Sequence, residues 1–144
     1  MYQPCFAVYI ELGVIEMSEI ERILLNGKSA RDDEVKPVPP NELRALEELL
    51  RFTLPPSYCE FVALGGLGEL RINHRVLNPQ EVIESIRYVD GSQYVPFADN
   101  GCGDLYCWPR SGEEEPMVVF ADHETDEYSQ DAKSFAEWLA KNRF

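Results

Sequence analysis

Prolines and glycines divide this chain into short segments, and three of these segments constrain the fold most. Residues 54–66, LPPSYCEFVALGG, predict a short helix, because proline suits a first helical turn and glycine often follows the last one. Residues 94–108, YVPFADNGCGDLYCW, predict two strands joined by a glycine-rich turn, in which Asn-Gly supplies the positive φ angles. Residues 131–142, DAKSFAEWLAKN, predict a capped amphipathic helix.

Further helices are predicted wherever a capping residue precedes apolar residues at helical spacing. One begins at the capping box Ser18–Glu21 and is expected to stop at Gly27. Another helix, expected to begin at Asn41, has leucines at a spacing that predicts a core-facing stripe. The expected caps are Ser18, Asn41, Asn78 and Ser134, and the expected core-facing leucines are Leu43, Leu46, Leu49 and Leu50.

Strands are predicted from apolar runs and from alternation of apolar with polar residues. Glu69–Asn73 alternates as a half-buried strand does, and Tyr94–Ala98, Asp104–Trp108 and Met117–Ala121 follow as a cluster. Strands that cluster, with helices mostly before and after them, favour an α+β fold with a small, mostly antiparallel sheet.

The length of 144 residues fits a single domain, in which the polar segment 28–40 is a loop. The apolar stretch 5–15 contains Glu11 and is too short to span a bilayer. The cysteines have neither zinc-ligand nor CxxC spacing, so we expect free thiols in the cytoplasm and no metal. They are Cys5, Cys59, Cys102 and Cys107.

The chain is strongly acidic, with 13 Lys and Arg against 26 Asp and Glu and a net charge of −13. Such a chain repels nucleic acid and anionic membranes and attracts basic proteins, although a surface that serves only solubility is the alternative. The charge is concentrated between Ser111 and Ala132, where no Lys or Arg occurs. The carboxylates of this stretch are Glu113, Glu114, Glu115, Asp122, Glu124, Asp126, Glu127 and Asp131.

Other polar residues are weighed between structural and functional roles. Asp104 fits a structural role beside the glycine turn, whereas Asp99 could either cap the turn or meet a basic partner. Trp108 is either a core residue or an interface anchor, since Trp is enriched at binding hot spots. The segment Asp122–Asp126 offers one His among carboxylates, which is a poor set for zinc. No nucleophile elbow, phosphate-binding loop or HExxH motif is present, so we expect no enzymatic activity.

Five short motifs follow one another along the chain: Leu54-Pro55 with Tyr58 and Phe61, Gly65-Gly66, Pro96-Phe97-Ala98, Gly103-Asp104, and Ala132, Ser134-Phe135 and Leu139. In this order they resemble the motifs of the SUKH superfamily, which spans a yeast cell-wall-assembly and killer-toxin-resistance regulator and many bacterial immunity proteins. Leu64 stands where the family usually has Asn. The resemblance implies an α+β SUKH fold over residues 41–144, with residues 1–40 as an N-terminal extension of a single domain.

The resemblance and the charge together indicate a non-enzymatic immunity protein without a cofactor that neutralises a basic toxin, for example a nuclease, by direct binding. A nuclease carries basic residues that hold phosphates, and an acidic inhibitor is steered towards them. The alternatives are a regulatory or scaffold domain without a toxin and, with less support, a small hydrolase. The expected partner-binding residues are Asp99, Trp108, Glu113, Glu114, Glu115, Asp122, Glu124, Asp126 and Glu127.

Overall fold

The computed structural model describes residues 18–26, 37–67 and 74–142, except for the side chains of Leu25 and Asn26. The expected strand at Glu69–Asn73, the expected stop at Gly27 and most of the expected loop 28–40 lie outside these residues. The helices are α1 (Glu19–Asn26), α2 (Pro40–Leu50), α3 (Pro56–Ala63), α4 (Pro79–Ser85) with a short 3₁₀ helix at Ile86–Tyr88, and α5 (Phe135–Asn142); the strands are β1 (Arg75–Val76), β2 (Tyr94–Asp99), β3 (Leu105–Pro109), β4 (Val118–Ala121) and β5 (Tyr128–Ala132).

The five strands form one antiparallel sheet in the order β1-β2-β3-β4-β5, so each strand pairs with its neighbour in sequence. This meander, with helices before and after most of its strands, confirms the predicted α+β class. Strand β5 was not predicted, because its residues YSQDA show no apolar alternation. No helix in the described part of the chain is long and apolar enough to cross a membrane.

Local side-chain chemistry starts most of the helices as predicted. The Glu21 N–H donates to Ser18 Oγ over 3.0 Å at the start of α1. At α4, Asn78 and Glu81 each accept a hydrogen bond from the other's backbone N–H, which completes a capping box. The Glu137 N–H donates to Ser134 Oγ over 3.1 Å before the first turn of α5.

Helix α2 departs from the sequence prediction in two ways. Its cap is Pro39 and its first residue is Pro40, so Asn41 lies in the first turn rather than at the cap. The fixed φ of proline favours that first position. Leu49 is 70% exposed, because it lies about 100° around the helix from the buried stripe. That stripe consists of Leu43, Leu46 and Leu50.

Helix α3 ends in a Schellman motif that fixes the chain after it. Gly65 has φ +83°, its N–H donates to the Val62 carbonyl, and the Gly66 N–H donates to the Phe61 carbonyl over 2.8 Å. A Cβ atom at Gly66 would lie 2.5 Å from the Phe61 ring, so a side chain at this position would collide with a buried aromatic residue.

A β-bulge at Phe97 shapes the inner face of the sheet, which the helices cover. Pro96 pairs with Cys107 and Ala98 with Tyr106, so Phe97 is the extra residue between them. Both Phe97 and Ala98 therefore face the core, where both are fully buried. The Phe97 carbonyl accepts the Leu77 N–H over 2.8 Å, which ties the bulge to the chain before α4.

Trp108 lies at the centre of the core between the sheet and the helices. Its ring stacks on Phe97 at a centroid distance of 4.4 Å and meets the Tyr58 ring of α3 edge-on at 5.1 Å. The residue is 0% exposed. The structure thus selects the core role and corrects the expectation that Trp108 anchors a partner, because a partner cannot reach its side chain in this conformation.

The outer face of the sheet carries a smaller apolar cluster under two tyrosines. Leu105, Cys107 and Ala121 form this cluster, and Tyr94 and Tyr128 pack against it. The two tyrosine rings stack at 4.0 Å, and the Tyr128 hydroxyl accepts the Asp90 N–H over 2.9 Å. Burial raises the pKa of Cys107 to about 12, so this thiol is inert as a nucleophile.

We predict that Trp108→Ala lowers the free energy of unfolding by about 3–5 kcal/mol, because it leaves a large cavity in the core. Leu49→Ala, on an exposed side chain, should change the same quantity by less than about 0.5 kcal/mol. Urea denaturation of both variants measures the difference. Equal stability of the two would contradict the placement of Trp108 in the core.

Candidate protein-binding surface at the acidic end of the sheet

Strand β4 divides the acidic stretch into two separate groups. Strands β3 and β4 are antiparallel, so the loop 110–117 before β4 and the loop 122–127 after it lie at opposite ends of the sheet. The β2–β3 loop, residues 100–104, lies at the same end as 122–127, because Leu105 pairs with Ala121. We call the end formed by Asp99, loop 100–104 and loop 122–127 the acidic end.

The β2–β3 loop is organised by the side chain of Asn100. Its Oδ1 accepts the N–H groups of Cys102, at 2.9 Å, and Asp104, at 3.3 Å, and its Nδ2 donates to Asp104 Oδ2. The positive φ angles occur at Gly101 and Gly103, not at Asn100 as the Asn-Gly pair suggested. The loop is therefore longer than a two-residue turn, since the asparagine works through its side chain rather than through a left-handed backbone.

Asp104 joins this loop to the β4–β5 loop. Its Oδ1 accepts the His123 N–H at 3.0 Å and the His123 Nδ1–H at 2.6 Å. The hydrogen bonds from Asn100 and His123 lower the pKa of Asp104 to about 2. The hydrogen bond to Asp104, together with nearby carboxylates, raises the pKa of His123 above 6.5. The structural role expected for Asp104 is thus the role that it has here.

The β4–β5 loop is a compact turn whose backbone uses Asp122. The Asp122 N–H donates to the Glu127 carbonyl and its own carbonyl accepts the Asp126 N–H, both at 2.9 Å. Its Oδ1 accepts the Glu124 N–H, also at 2.9 Å. Asp126 has φ +58°, a conformation that Asp and Asn adopt more readily than most residues. Asp122 therefore shapes the loop.

Asp99 caps the turn, which is one of the two roles that the sequence left open, and it also pairs with an arginine of the same chain. Its Oδ1 accepts the Gly101 N–H, as a turn cap would, and its Oδ2 pairs with Arg75 Nη2 at 2.8 Å. Arg75 also forms an ion pair with Glu81. The charge of Asp99 is thus partly compensated by an arginine on the neighbouring strand, a contact that no sequence pattern indicated.

Glu124, Asp126 and Glu127 are exposed, and none of their carboxylates makes a hydrogen bond or ion pair with a described residue. They lie on a loop held by Asp122 and, through His123, by Asp104. A loop backbone that is already held in place keeps charges of one sign close together, and it needs little further ordering of the backbone on binding. These carboxylates are consequently the part of the expected site best placed to meet a basic partner.

Glu113, Glu114 and Glu115 lie at the opposite end, and Glu115 has a structural role there. Its carboxylate accepts the Ser57 N–H at 2.8 Å and the Ser57 hydroxyl at 2.6 Å, in the first turn of α3. Although the residue as a whole is exposed, burial of its carboxyl group raises the pKa of Glu115, against the lowering effect of these hydrogen bonds. Glu113 and Glu114 are exposed.

The arrangement supports binding more than chemistry. Asp104, Asp122 and His123 bring potential ligand atoms within 4.8 Å of one another, which is the spacing a cation would need. The Asp104 carboxylate already accepts two hydrogen bonds from His123, one from its backbone N–H and one from its ring. His74 is half-buried, contacts the Tyr106 hydroxyl at 3.1 Å and stacks near Trp138.

The chain has been compared with known proteins in two ways. The sequence profile described as the SMI1 / KNR4 family (SUKH-1) matches residues 37–141. The search of curated proteins gives no match.

Helix α1, which precedes the matched residues, packs against α3 and α5, and Ser18 before it donates a hydrogen bond to the buried Glu60 carboxylate.

We predict that Glu115→Ala lowers the free energy of unfolding by about 0.5–1 kcal/mol, because it removes the cap of α3 while also relieving a desolvated charge. Glu114→Ala, with the same change of charge one residue away, should have almost no effect. Chemical denaturation compares the two variants, and equal losses would show that Glu115 is only part of a solvated surface.

We predict that NMR titration gives a His123 pKa above 6.5, and that Asp104→Asn brings it back towards that value. The raised pKa of His123 contributes stability to the folded protein below pH 6.5, and this stability is lost as the pH rises through the folded-state pKa of His123. The lowered pKa of Asp104 contributes stability above pH 3.8, and this stability is lost as the pH falls towards 2. The link between the loops is therefore strongest between pH 3.8 and 6.5.

Asp99→Asn is the control for this titration, because Asp99 does not contact His123 and its replacement should leave the His123 pKa nearly unchanged. A His123 pKa at or below 6.5 in the unmodified protein would show that the contact with Asp104 does not form in solution.

Proposed function

The chain belongs to the SMI1 / KNR4 family (SUKH-1), and we propose from this membership and its charge that it is a non-enzymatic immunity protein that binds and neutralises a basic toxin domain. The family is generally one of binding and immunity proteins, and membership is compatible with either an immunity or a regulatory role. A cytoplasmic location, where it would meet an incoming toxin, belongs to the same proposal.

The observation that carries the proposal is the acidic end of the sheet. Glu124, Asp126 and Glu127 project from a loop that Asp104 and Asp122 hold in place. A toxin that acts on nucleic acid needs a basic surface for the phosphates, and an acidic protein covering that surface would both be attracted to it and block it. Solubility alone would require negative charge, but would not require the loop that carries it to be fixed.

Partner choice is tested first in the neighbouring genes, since bacterial immunity genes usually lie next to large toxin genes, and the C-terminal domain of a toxin found there is the probe. We expect co-expression of this chain to restore growth of cells that produce the domain. Absence of a neighbouring toxin, or failure to protect against it, would favour the regulatory alternative.

We predict that Glu124→Gln/Glu127→Gln slows association with that domain several-fold at low salt, and that the difference shrinks as salt rises, because exposed charges are screened beyond a Debye length of about 8 Å at physiological salt. The matched variant Glu113→Gln/Glu114→Gln loses the same charge at the opposite end of the sheet and should associate at nearly the unmodified rate. Stopped-flow kinetics measures both.

Equal slowing in the two variants would mean that net charge, rather than the acidic end, attracts the partner. Association indifferent to salt and to both variants would mean that the acidic residues serve solubility only, and the binding face would lie elsewhere.

A further inference from the structure

Strand β5 is an edge strand that begins directly after the acidic loop. It pairs with β4, and within the described residues no further strand lies beyond it. An edge strand presents backbone N–H and C=O groups without sheet partners, to which another extended chain can add. Among the described residues the opposite edge is β1, Arg75–Val76, which is too short to offer a comparable row of backbone groups.

The hydrogen-bond pattern identifies which backbone groups of β5 point outward. The Asp122 N–H donates to the Glu127 carbonyl at the start of the β4–β5 ladder, so the backbone groups of these two residues face each other. Antiparallel pairs alternate, and Ser129 opposite Phe120 is therefore the next residue bonded to β4. The N–H and C=O groups of Tyr128 and Gln130 consequently point away from the sheet.

Protection against added strands is confined to the second half of β5. A bulge occurs at Asp131, since Val119 pairs with Gln130 but Val118 with Ala132. Lys141 covers this bulge, with its Nζ 2.6 Å from the Asp131 carbonyl and 3.0 Å from its carboxylate. Lysines and bulges are the devices by which natural sheets block their edges. The part from Tyr128 to Gln130 has no Lys, Pro or bulge, and the side chains of Ser129 and Gln130 are exposed.

This unprotected part is also held in position. The Tyr128 ring stacks on Tyr94 at 4.0 Å, and its hydroxyl accepts the Asp90 N–H. The strand therefore begins at a fixed point on the outer face of the sheet, and less conformational entropy is lost when a further strand adds to it.

The charge around this edge selects its occupant. Glu124, Asp126 and Glu127 directly precede β5 and are exposed. A second copy of this chain, with its own net charge of −13, would bring like charges together, whereas a basic segment would find opposite charges. We propose, on the basis of the function proposed above, that β5 accepts an extended Lys- or Arg-rich segment of the basic partner as a sixth strand, through the outward N–H and C=O groups of Tyr128 and Gln130.

The test uses two octapeptides with blocked ends as probes, one alternating Lys with Thr and one alternating Lys with Pro. They carry equal charge, but the proline peptide lacks the alternate N–H groups and disfavours sheet pairing. We expect the threonine peptide to bind about tenfold more tightly in NMR titrations, and to slow hydrogen exchange at the Tyr128 and Gln130 amides, while the Ser129 amide is already protected in the free protein.

Two variants at one position test the same backbone groups. Gln130→Pro removes the outward N–H at a position where an edge strand tolerates proline, and should weaken binding of the threonine peptide about tenfold. Gln130→Ala removes only the side chain, and should bind within about twofold of the unmodified protein. Continued protection of the Ser129 amide shows that Gln130→Pro keeps the β4–β5 ladder; if it does not, the two peptides on the unmodified protein decide the outcome.

Equal binding of the two peptides, or a Gln130→Pro variant that binds like Gln130→Ala, would overturn strand addition. That result would leave the proposed function intact if Glu124→Gln/Glu127→Gln still slowed association with the toxin domain. Conversely, strand addition without any effect of those charges would overturn the acidic end as the attracting surface.

Discussion

The contact between Phe97 and Trp108 is the interaction on which the rest of the structure depends. The bulge in β2 turns Phe97 inward, and the Trp108 ring of β3 stacks on it at 4.4 Å. Tyr58 of α3 and Phe135 of α5 then pack against these two rings, so the helices and the sheet share one aromatic core. Burial of this much aromatic surface is the main source of stability available to the domain.

The direction of the strands, fixed by that core, determines where the charges lie. Because β3 and β4 run in opposite directions, the acidic residues that follow one another in sequence are separated to two ends of the sheet. At one end Glu115 caps α3, and at the other Asp104 and Asp122 organise the loops that present Glu124, Asp126 and Glu127. Within residues 111–132, the carboxylates that accept hydrogen bonds, Glu115 and Asp122, are thus different residues from the exposed carboxylates of the acidic end.

Features set by neighbouring residues could be predicted from the sequence, whereas those set by distant residues could not. The caps at Ser18, Asn78 and Ser134 depend on a side chain and an N–H group three residues away, and they were predicted correctly. The cap at Asn41 was wrong because Pro40 starts the helix first. Strand β5 was missed since its pairing with β4, rather than its own pattern, makes it a strand.

The candidate site shows the same division. The sequence identified the carboxylates, but not the contacts Asp104–His123, Asp99–Arg75 and Glu115–Ser57, because each joins residues more than 15 positions apart. The predicted strand Met117–Ala121 did contain a signal, since an antiparallel meander places successive loops at opposite ends of a sheet. Trp108 could not be assigned from sequence, because core and interface both favour this side chain.

The most direct test of the acidic end is residue-by-residue mapping of amide NMR shifts while the basic toxin domain that we propose as the partner is added to this protein. If the acidic end binds, the largest changes should fall in loops 100–104 and 122–127 and in the adjoining start of β5, with little change in loop 110–117. Changes centred on loop 110–117, or on the exposed faces of the helices, would contradict that placement of the binding surface.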